Sequence, residues 1–370
     1  MPSIESQTGI ATSDDITPEE LQLAARNHGM PLEGLRYDIT PVGMHYLLTH
    51  FDIPEADAST WTVAVDGLVG RPLALRMDEL ISRPAETLTV TMECAGNGRA
   101  RLHPRPLSQP WLSEAVSTAE WTGTPLAPIL REAGLDVAAK EIVFTGADHG
   151  TQGGIEQDYE RSLPVAEAMR DDVLLAYSIN GIPLPPQHGS PLRLLVPGWY
   201  GMTSVKWLRR IRAVAEPFEG FQMDAYRLRA RPEDPGLPVT RMRPRALMIP
   251  PGFPDFFSRA RTVEAGPVEL RGRAWSGGAP IAGVHVSADG GRTWVAAVLG
   301  PEPPPDAWVA WSSRWEAMPG DHVLTVRATD AGGESQPTDE PWNHHGLANN
   351  MTQRVSVVVR PSASSVASPR

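Results

Sequence analysis

The chain has one cysteine among its 370 residues, and the residues around it decide what it can do. Cys94 follows the β-rich run Glu86–Met92 and precedes Ala95-Gly96-Asn97-Gly98-Arg99. Cysteine reacts or ligates as the thiolate, which a nearby cation such as Arg99 favours. Thiolate is also a soft ligand, suited to metals of sulfur-rich sites. The two glycines let backbone come close to a bulky group. Taken alone, the same residues favour a buried structural cysteine before a turn, because a free cysteine often behaves as a small hydrophobe. A single cysteine excludes an internal disulfide, a four-cysteine zinc or iron–sulfur site and C-x-x-C-H haem attachment. The sequence also lacks G-x-x-x-x-G-K-[ST], H-E-x-x-H and G-x-S-x-G, the signatures of phosphate loops, zinc proteases and serine-hydrolase elbows.

The elements that must hold this segment are mostly strands. Proline numbers 37, about twice the usual ~5% share, which predicts loops and edge strands and few long helices. Residues 1–16 read as a flexible arm. A short helix follows, capped by Thr17 with Pro18 at its first position and Glu20 completing a capping box, and Gly29 can end it. The run 61–67 alternates and turns at Asp66-Gly67. A second helix opens at Thr124-Pro125 and ends at Gly134. Residues 141–146, 173–178, 192–196 and 204–214 read as further strands. Strands mixed with short helices, without a βαβ rhythm, predict an α+β domain. Residues 244–255 read as a linker or inter-domain strap. Six short alternating strands come after it, with turn signals at Asp289-Gly290-Gly291 and Ala331-Gly332-Gly333, and predict an immunoglobulin-like β-sandwich. The last residues, 363–370, read as a disordered tail.

Net charge is −11, which argues against a nucleic-acid partner. Between Lys206 and Arg245 ten Lys or Arg face five Asp or Glu, so this segment is about +5 and the remainder about −16. The strip suggests a local anion site, or else a solvated strand face of alternating arginines. No run of ~18 apolar residues predicts a membrane span. The first residues have neither a basic start nor an apolar stretch, so the chain reads as cytoplasmic.

Four ordered motifs resemble the sulfite oxidase family. Cys94-Ala95-Gly96-Asn97-x-Arg99 is similar to its metal-binding loop. His188-Gly189-Ser190-Pro191-Leu192-Arg193, continuing through Val196-Pro197-Gly198 and Gly201 to Val205-Lys206-Trp207-Leu208, is similar to its second long motif. Gly146-Ala147-Asp148 matches a third, and Trp342-Asn343 with Gly346 a fourth. The resemblance covers about residues 40–360. It implies a molybdopterin-binding catalytic domain over 41–244, after an arm and short helix in 1–40, and a dimerising immunoglobulin-like domain over 245–362. It implies Cys94 as the molybdenum ligand, completing the sulfurs of the pterin dithiolene. It implies cofactor contacts at His50, Asp148, Ser162, His188, Arg193, Ser204 and Lys206. It further implies Arg99, Tyr226 and the position of His345 as the catalytic groups around the substrate.

Two positions depart from the family. Sulfite oxidases carry Arg-Asn-His where this chain has Leu48-Thr49-His50, and an arginine where this chain has His345. Each lost charge-assisted hydrogen bond is worth roughly 1.5–3 kcal/mol, so two would cost about 10²–10⁴ in affinity for sulfite. His345 restores part of this if protonated, and Leu48 does not. The resemblance implies an enzyme of two-electron oxo transfer, with sulfite to sulfate as the default reaction. A less anionic sulfur or nitrogen substrate is the rival, and a non-catalytic scaffold or an exported sulfoxide reductase are more distant ones. No haem or iron–sulfur cluster is expected in the chain. Electrons then leave to a separate carrier or to oxygen, and the family habit implies a homodimer.

Overall fold

The computed structural model describes residues 16–339 and 341–362. The expected arm (apart from its last residue, Ile16) and the tail at 363–370 lie outside the described residues. Helix Pro18–Arg26 forms as its capping residues predict, with Thr17 and Glu20 exchanging hydrogen bonds. It stops at Asn27, whose backbone is extended, rather than at Gly29. Gly29 instead allows a close approach, since a Cβ there would lie 2.6 Å from that of Glu114.

Two sheets build the first domain. One runs in the order Leu73–Arg76, Thr62–Gly67, Leu208–Val214, Glu141–Gln152, Ile155–Pro164. The other pairs Glu86–Glu93 with Val116–Pro125, then Leu174–Ile179, which also carries Ile182–Pro183 and Arg193–Leu195. Leu175 packs into the core shared with the first sheet, while Leu174 and Ala176 pack on the opposite face beside Cys94. That strand is buried on both sides, which is why its sequence is a continuous apolar run rather than an alternation. Helices are few and short. The longest described is Pro18–Arg26, and Leu126–Glu132 ends before Gly134, whose φ of +69° supplies the left-handed residue its exit needs. The domain is therefore more nearly all sheet than the α+β expectation implies.

The second domain is two facing sheets with one core between them. Strands Arg245–Met248, Gly266–Trp275, Val309–Ala317 and Val298–Leu299 form one. Six strands, with Gly320–Asp330 and Gln353–Arg360 at its centre, form the other. Residues of both, such as Leu270 and Trp311 from one and Leu324 and Val357 from the other, meet in a single cluster. The segment read as a linker contains a strand: all four residues of Arg245–Met248 are buried and pair with Gly272–Trp275. Pro244, Pro250 and Pro251 lie outside its paired residues, and Pro254 falls in the two-residue edge strand Phe253–Pro254, where an edge position tolerates it.

Strand 204–214 is also shorter than its apolar pattern. It begins at Leu208, because Trp207 takes a left-handed φ of +48°. That turn frees Ser204 and Lys206 from the ladder and leaves both on the wall of a cleft.

Candidate active site

The cleft encloses about 660 Å³ of space, part of it open to solvent, where both sheets of the first domain meet segment 45–50 and Tyr226. Cys94 lines it. The strand Glu86–Glu93 delivers this residue, and its N–H donates to the Ala115 carbonyl at 2.9 Å. Burial pushes the thiol above its ordinary range, against the opposing pull of the Gly96 N–H, the Arg99 charge and the Trp111 indole. A thiol held in this way stays protonated until a cation is bound beside it, which suits a metal ligand better than a free nucleophile.

The loop after Cys94 is shaped by its glycines. A Cβ on Gly96 would lie 2.7 Å from the Arg99 guanidinium, so only glycine lets that group fold back over the loop. Gly98 adopts φ +91° against Asn349 of the second domain. Arg99 is buried, and its Nε donates to the His345 carbonyl at 2.7 Å and its Nη1 to the Gln109 carbonyl at 3.2 Å. It stands beside Cys94 without lining the cleft.

Around the thiol lie His50, Asp148, His188, Arg193, Ser204, Lys206 and Tyr226, all expected from the sequence. Arg193 donates to the carbonyls of His188 and Ser204 and lies over the Trp121 ring at 4.8 Å. Burial lowers its pKa to about 10. Lys206 donates 2.9 Å bonds to the carbonyls of Leu48 and Gln187, and burial with Arg193 nearby lowers it to about 7. Burial likewise takes His188 down to about 2 and raises Asp148 to about 6. His50 Nε2 donates to the Gln152 Oε1 at 2.7 Å. The Tyr226 phenol is raised to about 12 by burial and by Cys94, so it stays a donor at neutral pH.

Besides Arg99, two further expected residues do not line the cleft. Ser162 is buried on strand Ile155–Pro164 with its hydroxyl 3.6 Å from the Met223 sulfur, facing a helix because the strand alternates. His345 does not line the cleft either. Its carbonyl serves Arg99, and burial together with His344 and Arg99 lowers its ring to about 4, so it is neutral and does not replace the missing arginine charge. His45, Tyr46, Met92 and Tyr159 line the cleft and were not singled out from sequence. Tyr46 and His45 adjoin the His50 motif, and that proximity was the available signal.

The lining fits an anionic group rich in hydrogen-bonding atoms. His45 Nε2, Asp148 Oδ1 and Arg193 Nε are buried at the cleft without a partner among the described residues, a cost that a bound polar group removes. Gly201 adds a close approach, since a Cβ there would lie 2.3 Å from the Tyr46 hydroxyl.

Comparison with known proteins agrees with this geometry. Residues 50–222 match the oxidoreductase molybdopterin binding domain, and residues 256–360 match the Mo-co oxidoreductase dimerisation domain. The chain is similar to mitochondrial sulfite oxidase of Homo sapiens, 35% identical over 352 residues covering 87% of this chain and 62% of that protein. It is similar to nitrate reductase [NAD(P)H] of Hordeum vulgare, 34% identical over 398 residues covering 97% of this chain and 45% of that protein. Among solved structures it resembles the sulfane dehydrogenase SoxCD from Paracoccus pantotrophus, with a TM-score of 0.78, 27% identity, and coverage of 94% of this chain and 86% of that one. The chain spans less than two thirds of the length of these two curated relatives. Both domain models match in order along the chain, and the chain therefore belongs to the sulfite oxidase family of molybdopterin oxidoreductases, with Mo-co as its cofactor.

Proposed function

We propose that the protein oxidises, by two electrons, a small sulfur compound less anionic than sulfite. One observation carries this reading: Leu48, not a cation, lines the cleft where sulfite oxidases place an arginine. The neutral ring of His345 and the engaged Nε and Nη1 of Arg99 act in the same direction. The sulfane dehydrogenase among the similar structures supports a sulfur substrate.

Cys94 is the chain's ligand to the metal, and Arg193 and Lys206 hold the anionic pterin, with His188 and Asp148 as hydrogen-bonding neighbours. The bound cofactor supplies the two-electron redox chemistry. Tyr226 keeps its proton and donates to a substrate oxygen. Tyr46, Met92 and Tyr159 wall the site against water. The electron acceptor is a separate carrier or oxygen. The matched dimerisation domain supports a homodimer, which sedimentation would show as a mass near twice 40.2 kDa.

Sulfite to sulfate remains the second reading, favoured by Arg99 beside Cys94 and by the identity to sulfite oxidase. Ferricyanide reduction on molybdenum-loaded protein separates the two. Faster saturable turnover with sulfane-sulfur compounds than with sulfite supports the proposal. A kcat/KM for sulfite that exceeds theirs would reverse it.

A further inference from the structure

Buried arginines in this chain normally face a carboxylate. Arg105 meets Glu20, Arg229 meets Asp224 and Arg245 meets Glu93. Among the described residues the buried arginines without such a partner are Arg99, Arg161 and Arg193; Arg193 lines the cleft, and the other two stand behind its lining residues Cys94, Tyr159 and Tyr226. Arg99 sits beside the Cys94 thiol, and Arg193 lines the cleft where an anionic cofactor would bind. Arg161 has neither neighbour, and nothing in the family motifs singles it out.

Its placement is specific. Arg161 lies on strand Ile155–Pro164 and is 3% exposed. Nη1 donates to the carbonyl of Gln222, in the short helix Phe221–Ala225 that ends at Tyr226. The guanidinium carbon is 5.4 Å from the centre of the Tyr226 ring, within cation–π range. Its Nε proton is buried without an acceptor. The groups whose charge reaches it are Tyr159 and Tyr226, both on the cleft wall. A guanidinium has five N–H donors, and burying it with so few partners and no counter-charge is costly.

We propose that Arg161 is the substrate-side cation of this enzyme, a positioning residue that fixes Tyr226 and holds the negative end of the substrate from behind it. The inference rests on the functional reading above and narrows it. The substrate is a sulfur compound with a single negative charge on a group remote from the reacting sulfur, because the cation stands one layer back from the cleft rather than at Cys94. That explains how the site dispenses with cations at positions 48 and 345.

The test uses molybdenum-loaded protein and methanesulfonate, an inert monoanion, with binding measured by calorimetry. Arg161→Gln keeps a donor for the Gln222 carbonyl and removes the charge, whereas Arg161→Lys keeps the charge. Saturable binding by the wild type is expected, with Arg161→Gln weakened roughly ten- to hundredfold and Arg161→Lys within a few-fold of wild type. Equal affinity in wild type and Arg161→Gln, or no binding by the wild type, overturns the proposal. Should Arg161→Gln not fold, wild-type protein labelled with ¹⁵N-arginine gives the answer. Its Arg161 Nε signal, assigned by its loss in Arg161→Lys, should shift on adding methanesulfonate, and a signal unmoved at saturation overturns the assignment. Failure to oxidise any sulfur compound would sink the functional reading while leaving an Arg161-dependent methanesulfonate site standing.

Discussion

Cys94 illustrates how little a residue type says without its neighbours. Burial alone makes it an inert thiol, and a bound metal alone makes it a thiolate. Replacing it with serine should abolish turnover and leave the melting temperature within a few degrees of wild type. Wild-type turnover in Cys94→Ser would remove the ligand role. The cleft histidines are more exacting. His45 is lowered by burial to about 4 and His188 to about 2, both below the ordinary ~6.5. The unfolded chain therefore binds more protons than the folded one as pH falls below ~6.5. Their stabilisation is complete above that value and is lost as pH drops, toward 4 for His45 and further, toward 2, for His188. For His45 the loss by pH 4 is on the order of 3 kcal/mol. Denaturant titrations of cofactor-free protein should show His45→Gln with a shallower decline between pH 6.5 and 4 than wild type. Parallel declines would mean that His45 is not held neutral by the fold.

At the scale of elements, the cleft depends on where strands stop. Trp207 delays the start of the ladder by its left-handed backbone, and Lys206 thereby reaches the Leu48 and Gln187 carbonyls. An apolar run shows that a strand passes nearby but not the residue at which it begins, since a single φ decides that. The turn at Gly201 is similarly tight. Gly201→Ala would push a methyl into the Tyr46 hydroxyl and against Met92, costing about 1–3 kcal/mol. Molybdenum content per protein should fall while the far-ultraviolet circular dichroism stays unchanged. Full metal content would show that the Tyr46 wall yields freely.

Across the whole molecule, the second domain holds the Cys94 loop. Glu93, next to Cys94, is fully buried and accepts from Arg245 at 2.7 Å and from the Trp275 indole at 2.9 Å, both in the second domain. Ala348 N–H donates to the Ala95 carbonyl, Asn349 to that of Gly98, and Arg99 to that of His345. The loop is thus gripped by a segment some 250 positions later in the sequence. Arg245→Met should destabilise the protein by about 3–5 kcal/mol, because it leaves Glu93 charged and buried. The double variant Glu93→Gln with Arg245→Met should recover part of that loss. If Arg245→Met melts at the wild-type temperature, the grip on the loop is not energetic.

Most of the architecture was open to reading from the chain itself. Capping residues marked the first helix, glycines marked the turns at 290 and 333, and alternation marked strands such as Gln353–Arg360, whose burial alternates at every position. Those signals are local, carried by adjacent residues and periods of two or four. The motifs likewise named most of the cleft lining, because each places its groups on one short segment. What the chain could not reveal depends on residues far apart in sequence. The carbonyl role of His345, the burial of Ser162 against Met223, the strand at Arg245–Met248 and the unpaired Arg161 behind Tyr226 all follow from packing between segments. Whether a charge is paired, and whether a ring stays neutral, is set by what folding brings within a few ångströms, and that was decided only by the tertiary structure.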